Sequence, residues 1–243
     1  MKKKIKALLL SAGFGTRLRP LTEKIPKCLV DINGEKLLIN WLNKLEKSGC
    51  NEVLINTHYL SQQVEEVLEN WQSTKLKCKT VYEKELLGTA GTLRQNSDFF
   101  KNSVVLLIHA DNFTNIDLDE FLNFHFKRKK ESIISMITFE TKNPKECGVV
   151  EVDNDNVMIN YYEKVENPPS NIANGAIFAF EDPFIEYFLS LPVSYNNFCA
   201  DIVPLLKGKL QTYFTNCFFI DIGTPKSLKL AREFSKKNKY AEY

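Results

Sequence analysis

The chain has 243 residues, 44% of them hydrophobic, enough to bury one sizeable core, so a single folded domain over 1–243 is expected. Its 32 Lys plus Arg nearly balance 30 Asp plus Glu, and a net charge of +2 argues against nucleic acid or an anionic membrane as the main partner. The six cysteines form no CxxC pair and the three histidines no HExxH, which argues against a zinc site and reads the thiols as reduced and mostly buried.

The N-terminal MKKKIKALLL has a charged start, but its apolar run ends at Leu10, too short for a secretory or membrane-spanning segment, so a cytoplasmic location is expected. Apolar runs then recur at Ile5 to Leu10, Val53 to Ile55, Cys78 to Tyr82, Val104 to Ile108 and Ile133 to Thr138, and they suit strands buried on both faces. Between them Leu37, Leu38, Trp41, Leu42 and Leu45 make a helical stripe ended by Ser48-Gly49. Val64, Val67, Leu68 and Trp71 make another, with Ser61 as its expected N-cap. Alternating strand and helix predicts an α/β fold with a doubly wound, mostly parallel, Rossmann-like sheet. The second half reads as short strands around Asp/Asn and Pro turns. Helices follow near Pro183 to Leu189 and Ala200 to Leu206, then a strand over Cys217 to Ile220 and a last helix from Pro225.

In doubly wound sheets ligands bind beyond the carboxyl ends of the strands, so the residues just after each strand are the candidates. After the first strand stands Ser11-Ala12-Gly13-Phe14-Gly15-Thr16-Arg17, followed by Arg19, Lys24 and Lys27. A dinucleotide turn would need a third glycine where Leu18 stands, and no GxxxxGK[ST] occurs. A phosphate cradle and a solvated basic loop remain open on these residues alone. "GTAGTL" at Gly88 to Leu93, preceded by Glu83 and Glu85, offers small residues for a flat ligand and a carboxylate able to accept from guanine N1–H and N2–H; a plain turn into a helix capped by Thr89 explains it equally well. Asp111 and Asp221 end apolar strands, positions suited to Mg²⁺ or to ordinary turn residues. Glu163-Lys164 and Asn174 carry groups that could hold a sugar phosphate, or form a surface ion pair.

Taken together, GxGTRLxPLT over Gly13 to Thr22, PKxL over Pro26 to Leu29, "ELLGTAGTL", "LLIHADN", "CGVVEV", "YYEKVENPPSN", "NGAIFAF" and "DIGTPKSL" resemble the sugar-1-phosphate nucleotidyltransferases over almost the whole chain. The likeness is greatest to the branch that transfers guanylyl groups to mannose 1-phosphate or manno-heptose 1-phosphate. That resemblance implies a single nucleotidyltransferase domain with a nucleotide-binding half, 1–140, and a sugar-phosphate-binding half, 141–243. No β-helix domain is expected. It implies that Arg17 and Lys27 are catalytic and that Leu10, Ser11, Ala12, Gly13, Gly15, Thr16, Arg17, Lys27, Glu83, Gly88, Thr89, Ala90 and Asp111 bind the nucleotide. By the same likeness Asp111 and Asp221 would hold Mg²⁺, and Gly148, Glu163, Lys164 and Asn174 the sugar phosphate. The implied reaction joins a nucleoside triphosphate, GTP before UTP or dTTP, to a sugar 1-phosphate with release of pyrophosphate. A noncatalytic nucleotide-sugar-binding relative is the alternative, disfavoured because Arg17, Lys27, Asp111 and Asp221 are all present. Ser11 replaces a frequent glycine, His109-Ala110-Asp111 replaces Asn-Gly-Asp, and Asn174-Gly175-Ala176 permutes Asn-Ala-Gly. Apolar surface around Phe198 or Phe218 could serve a homodimer.

Overall fold

The computed structural model describes residues 3–239. In chain order the elements are β1 (Lys4–Leu10), β2 (Asp31–Ile32), β3 (Glu35–Lys36), α1 (Leu37–Lys47), β4 (Glu52–Thr57), α2 (Ser61–Asn70) and β5 (Lys77–Tyr82). There follow α3 (Gly88–Gln95), α4 (Ser97–Phe100), β6 (Ser103–His109), β7 (Asn112–Thr114), α5 (Leu118–Phe126) and β8 (Ile134–Glu140). The rest are β9 (Gly148–Val152), β10 (Met158–Glu163), β11 (Ile172–Phe180), α6 (Asp182–Ser190), β12 (Leu210–Thr215), β13 (Phe219–Asp221) and α7 (Pro225–Lys239). The fold is mixed α/β with a central, mostly parallel sheet, and no β-helix occurs among the described residues.

Two compact units divide the chain, each built from separated segments. The first comprises the stretch ending at Leu8, Leu87–Ile108 and Ile116–Cys217; the second comprises Leu9–Leu86, His109–Asn115 and the stretch from Phe218 onward. In the first unit the strands run in the order β10-β9-β11-β6. Here β11 is antiparallel to β6, β8 and β9, and β12 joins β8 in parallel. Its core is aromatic. Phe180 lies 4.5 Å from Phe184 and Phe178 lies 4.8 Å from Phe198, ring centroid to centroid, in the tilted arrangements that ring quadrupoles favour. Phe198 is fully buried, so the expectation of exposed apolar surface there is corrected. The expected helix over Ala200 to Leu206 is a π turn over Phe198–Ile202 followed by a 3₁₀ turn over Val203–Leu206. Pro204 lacks the N–H and fits no helix interior.

In the second unit β4 and β5 pair in parallel from Glu52↔Lys77 to Thr57↔Tyr82. Strand β5 stands at the edge and exposes Lys77, Lys79, Thr80 and Tyr82, so it is not the doubly buried strand its apolar residues suggested. Helix α1 buries Leu37, Leu38, Trp41, Leu42 and Leu45 completely, the five residues of the predicted stripe; each Leu contributes about 2 kcal/mol by leaving water. Helix α2 starts without the expected Ser61 cap. Its N-cap is Leu60, held at φ 51°, and no side chain caps the helix. Among the described residues no disulfide joins any of the six cysteines, but only Cys28 and Cys50 are buried, fewer than expected, because Cys78, Cys147, Cys199 and Cys217 sit at partly open positions.

Candidate functional site

In the second unit, β1 ends in the glycine loop. Gly15 takes a left-handed φ of 63°, and a Cβ there would lie 3.0 Å from Thr22 Cγ2 and 3.1 Å from Lys27 Cβ, so glycine lets the chain turn tightly over both. Thr22 Oγ1 donates to Gly15 O at 2.7 Å and pins the turn. Gly13 has nothing within 4 Å of its missing Cβ, and Thr16 and Arg17 face solvent. Phe14, at the loop's tip, packs edge-on to His58 at 5.2 Å. Ser11 is turned inward: its N–H donates to Asn56 Oδ1 at 2.7 Å and its hydroxyl to Asn56 O at 2.6 Å. Leu10 is half-buried and Ala12 buried.

Strands β7 and β13 pair antiparallel, with Asp221 opposite Asn112, and Ile222 N donates to Asp111 O at 3.0 Å. This short ladder brings together two aspartates 110 positions apart. Lys27, in a 3₁₀ turn behind Pro26, reaches both: its Nζ donates to Asp111 Oδ2 at 2.6 Å and to Asp221 Oδ1 at 2.9 Å. Arg17 Nη2 adds a longer contact to Asp221 Oδ2 at 3.4 Å, and Gly223 leaves room for it, since a Cβ there would lie 2.7 Å from that nitrogen. The Lys27 side chain is 10% exposed, against 38% for Asp111 and 46% for Asp221. Burial works against the lysine's charge, but the two carboxylates outweigh it and raise its pKa above the ordinary lysine value. Burial likewise opposes ionisation of Asp111, and Lys27 with His109 overcomes it to hold that carboxyl below the usual range. Arg19 and Lys24 are exposed and belong to a solvated face.

Asn56, which its lone polar place at the end of the apolar run VLIN could have flagged, joins Ser11 to the buried Glu83, donating from Nδ2 to Glu83 Oε1 at 2.9 Å. Glu85 is exposed.

In the first unit Gly88 opens α3 at φ 76°, and a Cβ on it would lie 2.4 Å from Asn196 O. Ala90 N donates to Asn196 O at 2.8 Å, and Thr89 Oγ1 accepts from Phe198 N at 2.7 Å. Thr89 therefore ties the turn to a neighbouring segment and does not cap the helix, whose N-cap is Leu87.

The same unit gathers Gly148, Glu163, Lys164 and Asn174. Gly148 faces Glu163 across the β9–β10 pair. Asn174 precedes a register shift between β11 and β8, and its Oδ1 accepts from Ala176 N at 2.7 Å. Lys164 leaves β10 at φ 50° and sets its ammonium 3.6 Å from Glu163 Oε1. Tyr161, not singled out in the sequence, stands among them, with its hydroxyl 2.5 Å from Glu163 Oε2 and 3.3 Å from Asn174 Nδ2. A tyrosine alternating with glutamate on a half-buried strand reads as ordinary packing; its role emerges only from the strand register.

Among the described residues no group of three or more His, Cys, Asp or Glu could hold a metal, and no helix is long and apolar enough to cross a membrane. In this unit Asp111 and Asp221 form a pair of carboxylates joined through the Lys27 ammonium.

A family model described as nucleotidyl transferase matches residues 6–238. The mannose-1-phosphate guanylyltransferase catalytic subunit beta of Xenopus tropicalis is 31% identical over 233 residues, which cover 91% of this chain and 62% of that protein. The chain thus spans less than two thirds of that relative's length. The D-glycero-alpha-D-manno-heptose 1-phosphate guanylyltransferase of Campylobacter jejuni is 29% identical over 221 residues, 91% of this chain and 96% of its own. A solved structure of a putative glucose-1-phosphate thymidylyltransferase from Bacillus anthracis superimposes with a TM-score of 0.85 over 95% of this chain and 94% of that one, at 22% identity, a likeness of fold.

Proposed function

Because the chain belongs to the nucleotidyl transferase family, we propose that it joins a nucleoside triphosphate to a sugar 1-phosphate, releasing pyrophosphate and forming a nucleotide sugar. The observation that carries this reading is the Lys27 ammonium shared by Asp111 and Asp221, with Arg17 and the open Gly13 turn in the same unit. Both substrates are polyanions, and two unit charges about 4 Å apart repel by roughly 4 kcal/mol at an effective dielectric near 20. Cations must offset that repulsion before a phosphate oxygen can attack the α-phosphorus. Lys27 and Arg17 supply fixed positive charge on the triphosphate side, Arg17 as a planar fork suited to the departing pyrophosphate. Gly13, Gly15 and Thr16 present backbone N–H groups to the phosphates. Lys164 holds the phosphate of the sugar substrate, while Glu163 and Asn174 order its hydroxyls. No general base is required, because the attacking phosphate oxygen is already ionised near neutral pH; positioning and charge stabilisation do most of the catalysis.

Asp111 and Asp221 fit Mg²⁺ by the chemistry of their donors: two hard carboxylates already arranged to share one positive charge, the number such an ion commonly takes from protein. When bound, it would neutralise charge on the phosphoryl oxygens.

GTP is the favoured triphosphate and a mannose- or manno-heptose-type sugar 1-phosphate the favoured acceptor. The names of the relatives support this choice, as does the presence of Glu83 and Glu85 just past β5, either of which carries the acceptor that guanine's edge requires. The nucleotide-sugar product would serve polysaccharide or glycoconjugate synthesis in the cytoplasm. The test is the reverse reaction: purified chain with GDP-mannose, pyrophosphate and Mg²⁺, followed by ³¹P NMR. The appearance of GTP and mannose 1-phosphate resonances is expected; an unchanged spectrum with GDP-mannose and with other nucleotide sugars would sink the reading.

A further inference from the structure

We propose that Tyr161 is a positioning residue of the sugar-phosphate side, its hydroxyl holding the Glu163 carboxylate and the Asn174 amide in one arrangement. The inference rests on the assignment of Glu163, Lys164 and Asn174 to the sugar 1-phosphate.

Register explains how the group assembles. Tyr161 and Glu163 are two apart on β10 and share a face, and Gly148 is opposite Glu163 and diagonal to Tyr161. A Cβ on Gly148 would lie 1.9 Å from the Tyr161 hydroxyl oxygen and 2.6 Å from Glu163 Oε2. The glycine therefore leaves the space that the hydroxyl and the carboxylate fill together. Tyr161 is 8% exposed, and a phenylalanine would pack the same ring; what the hydroxyl adds is its hydrogen bonds.

Those bonds form a chain of contacts. Asn174 Nδ2 lies 3.4 Å from Cys199 Sγ and donates to the Tyr161 hydroxyl at 3.3 Å; the hydroxyl donates in turn to Glu163 Oε2 at 2.5 Å. Both amide protons of Asn174 are thus directed at protein atoms, and its Oδ1 takes Ala176 N. The amide thus steadies Tyr161 beside the β11 register shift and keeps the second lone pair of its Oδ1 for a sugar hydroxyl, while the more open Glu163 and Lys164 meet the rest of the substrate. Burial, Cys199 and Glu163 all raise the Tyr161 pKa, so the phenol keeps its proton and donates throughout the physiological range. Without the hydroxyl, the carboxylate and the amide lose their shared partner, and two rotamers held in one geometry are released.

Tyr161→Phe tests this in the full chain with two readouts. In pyrophosphate-release kinetics with the best substrate pair, KM for the sugar 1-phosphate is expected to rise about tenfold while KM for the triphosphate stays within about twofold, and the rise should vanish when the change is made on top of Glu163→Ala. In the ¹H–¹⁵N spectrum, the side-chain amide signal of Asn174, assigned by its loss in Asn174→Asp, is expected to shift in Tyr161→Phe without any substrate. An unmoved amide signal would overturn the proposal whatever the kinetics, and so would a kinetic effect spread equally over both substrates. A wild-type chain inactive with every pair would instead overturn the assigned reaction, and the amide signal would still decide whether Tyr161 links Asn174 to Glu163.

Discussion

The Lys27 ammonium lies 2.6 Å from Asp111 and 2.9 Å from Asp221, so one buried cation serves two carboxylates carried by different arms of the β7–β13 ladder. Lys27→Met removes the shared charge and leaves the carboxylates facing one another. Pyrophosphate release is expected to fall by at least about a hundredfold, the scale of losing a preorganised charge at a transition state. Thermal unfolding at pH 7 should also shift downward. The pH dependence gives a second check. Asp111 has a lowered pKa in the folded state, so its contribution is present above the unfolded carboxyl value and is lost as pH falls through the folded one. Wild type should therefore lose stability below about pH 4 more steeply than Lys27→Met; parallel pH profiles would contradict the coupling.

Asp111→Asn keeps the shape of the side chain but removes its charge. Turnover should disappear while the far-UV circular dichroism stays unchanged, and EDTA should stop the wild-type reaction until Mg²⁺ is restored. Activity retained in the variant, or in EDTA, would remove Asp111 from metal binding.

Lys164→Ala should raise KM for the sugar 1-phosphate and leave the KM of the triphosphate near wild type. A change confined to the triphosphate would reassign this lysine.

Gly88→Ala introduces a Cβ 2.4 Å from the Asn196 carbonyl oxygen on a residue held at φ 76°. The backbone strain alone costs of order 1–3 kcal/mol, and urea unfolding should show a lower midpoint; an unchanged midpoint would mean that this turn is not held against Asn196.

His125 is fully buried, with Nδ1 2.9 Å from Ser135 Oγ and Nε2 3.2 Å from Arg128 Nη1. Burial and then Arg128 push its pKa down from 6.5 to about 3. Between those values the unfolded chain binds a proton that the folded chain excludes, so stability falls as the solution is acidified, by up to about 1.4 kcal/mol per pH unit. Urea unfolding from pH 7 to 5 should show that slope in wild type and a flatter one in His125→Gln. Equal slopes would show that the imidazole takes up its proton in the folded state.

The parts of this molecule legible in the sequence are those with long periodic patterns. The α1 stripe is buried as its spacing predicts, and the helix beginning at Pro225 starts where proline favours a first turn. Asp111 and Asp221 stood out because each ends an apolar run, but β7, the three-residue strand that brings them together, is too short to leave a pattern. Ser61 and Thr89 misled because capping propensity is weak beside what the chain does: Leu60 takes the left-handed conformation, and Thr89 bonds to Phe198. Apolar spacing from Ala200 to Leu206 looked helical, and Pro204 held the countersignal. Tyr161 was hidden altogether, because its meaning depends on Gly148 across a strand pair whose register no single segment encodes.

The central claim, transfer of a nucleotidyl group to a sugar 1-phosphate, is tested most directly by pyrophosphate release over a matrix of GTP, UTP, dTTP and ATP against mannose, manno-heptose, glucose and N-acetylglucosamine 1-phosphates in Mg²⁺. The account predicts release that requires both substrates together and is fastest with GTP and a manno-configured sugar. Release from no pair, by a chain that still binds nucleotide sugars, would contradict it and make this protein a binding module.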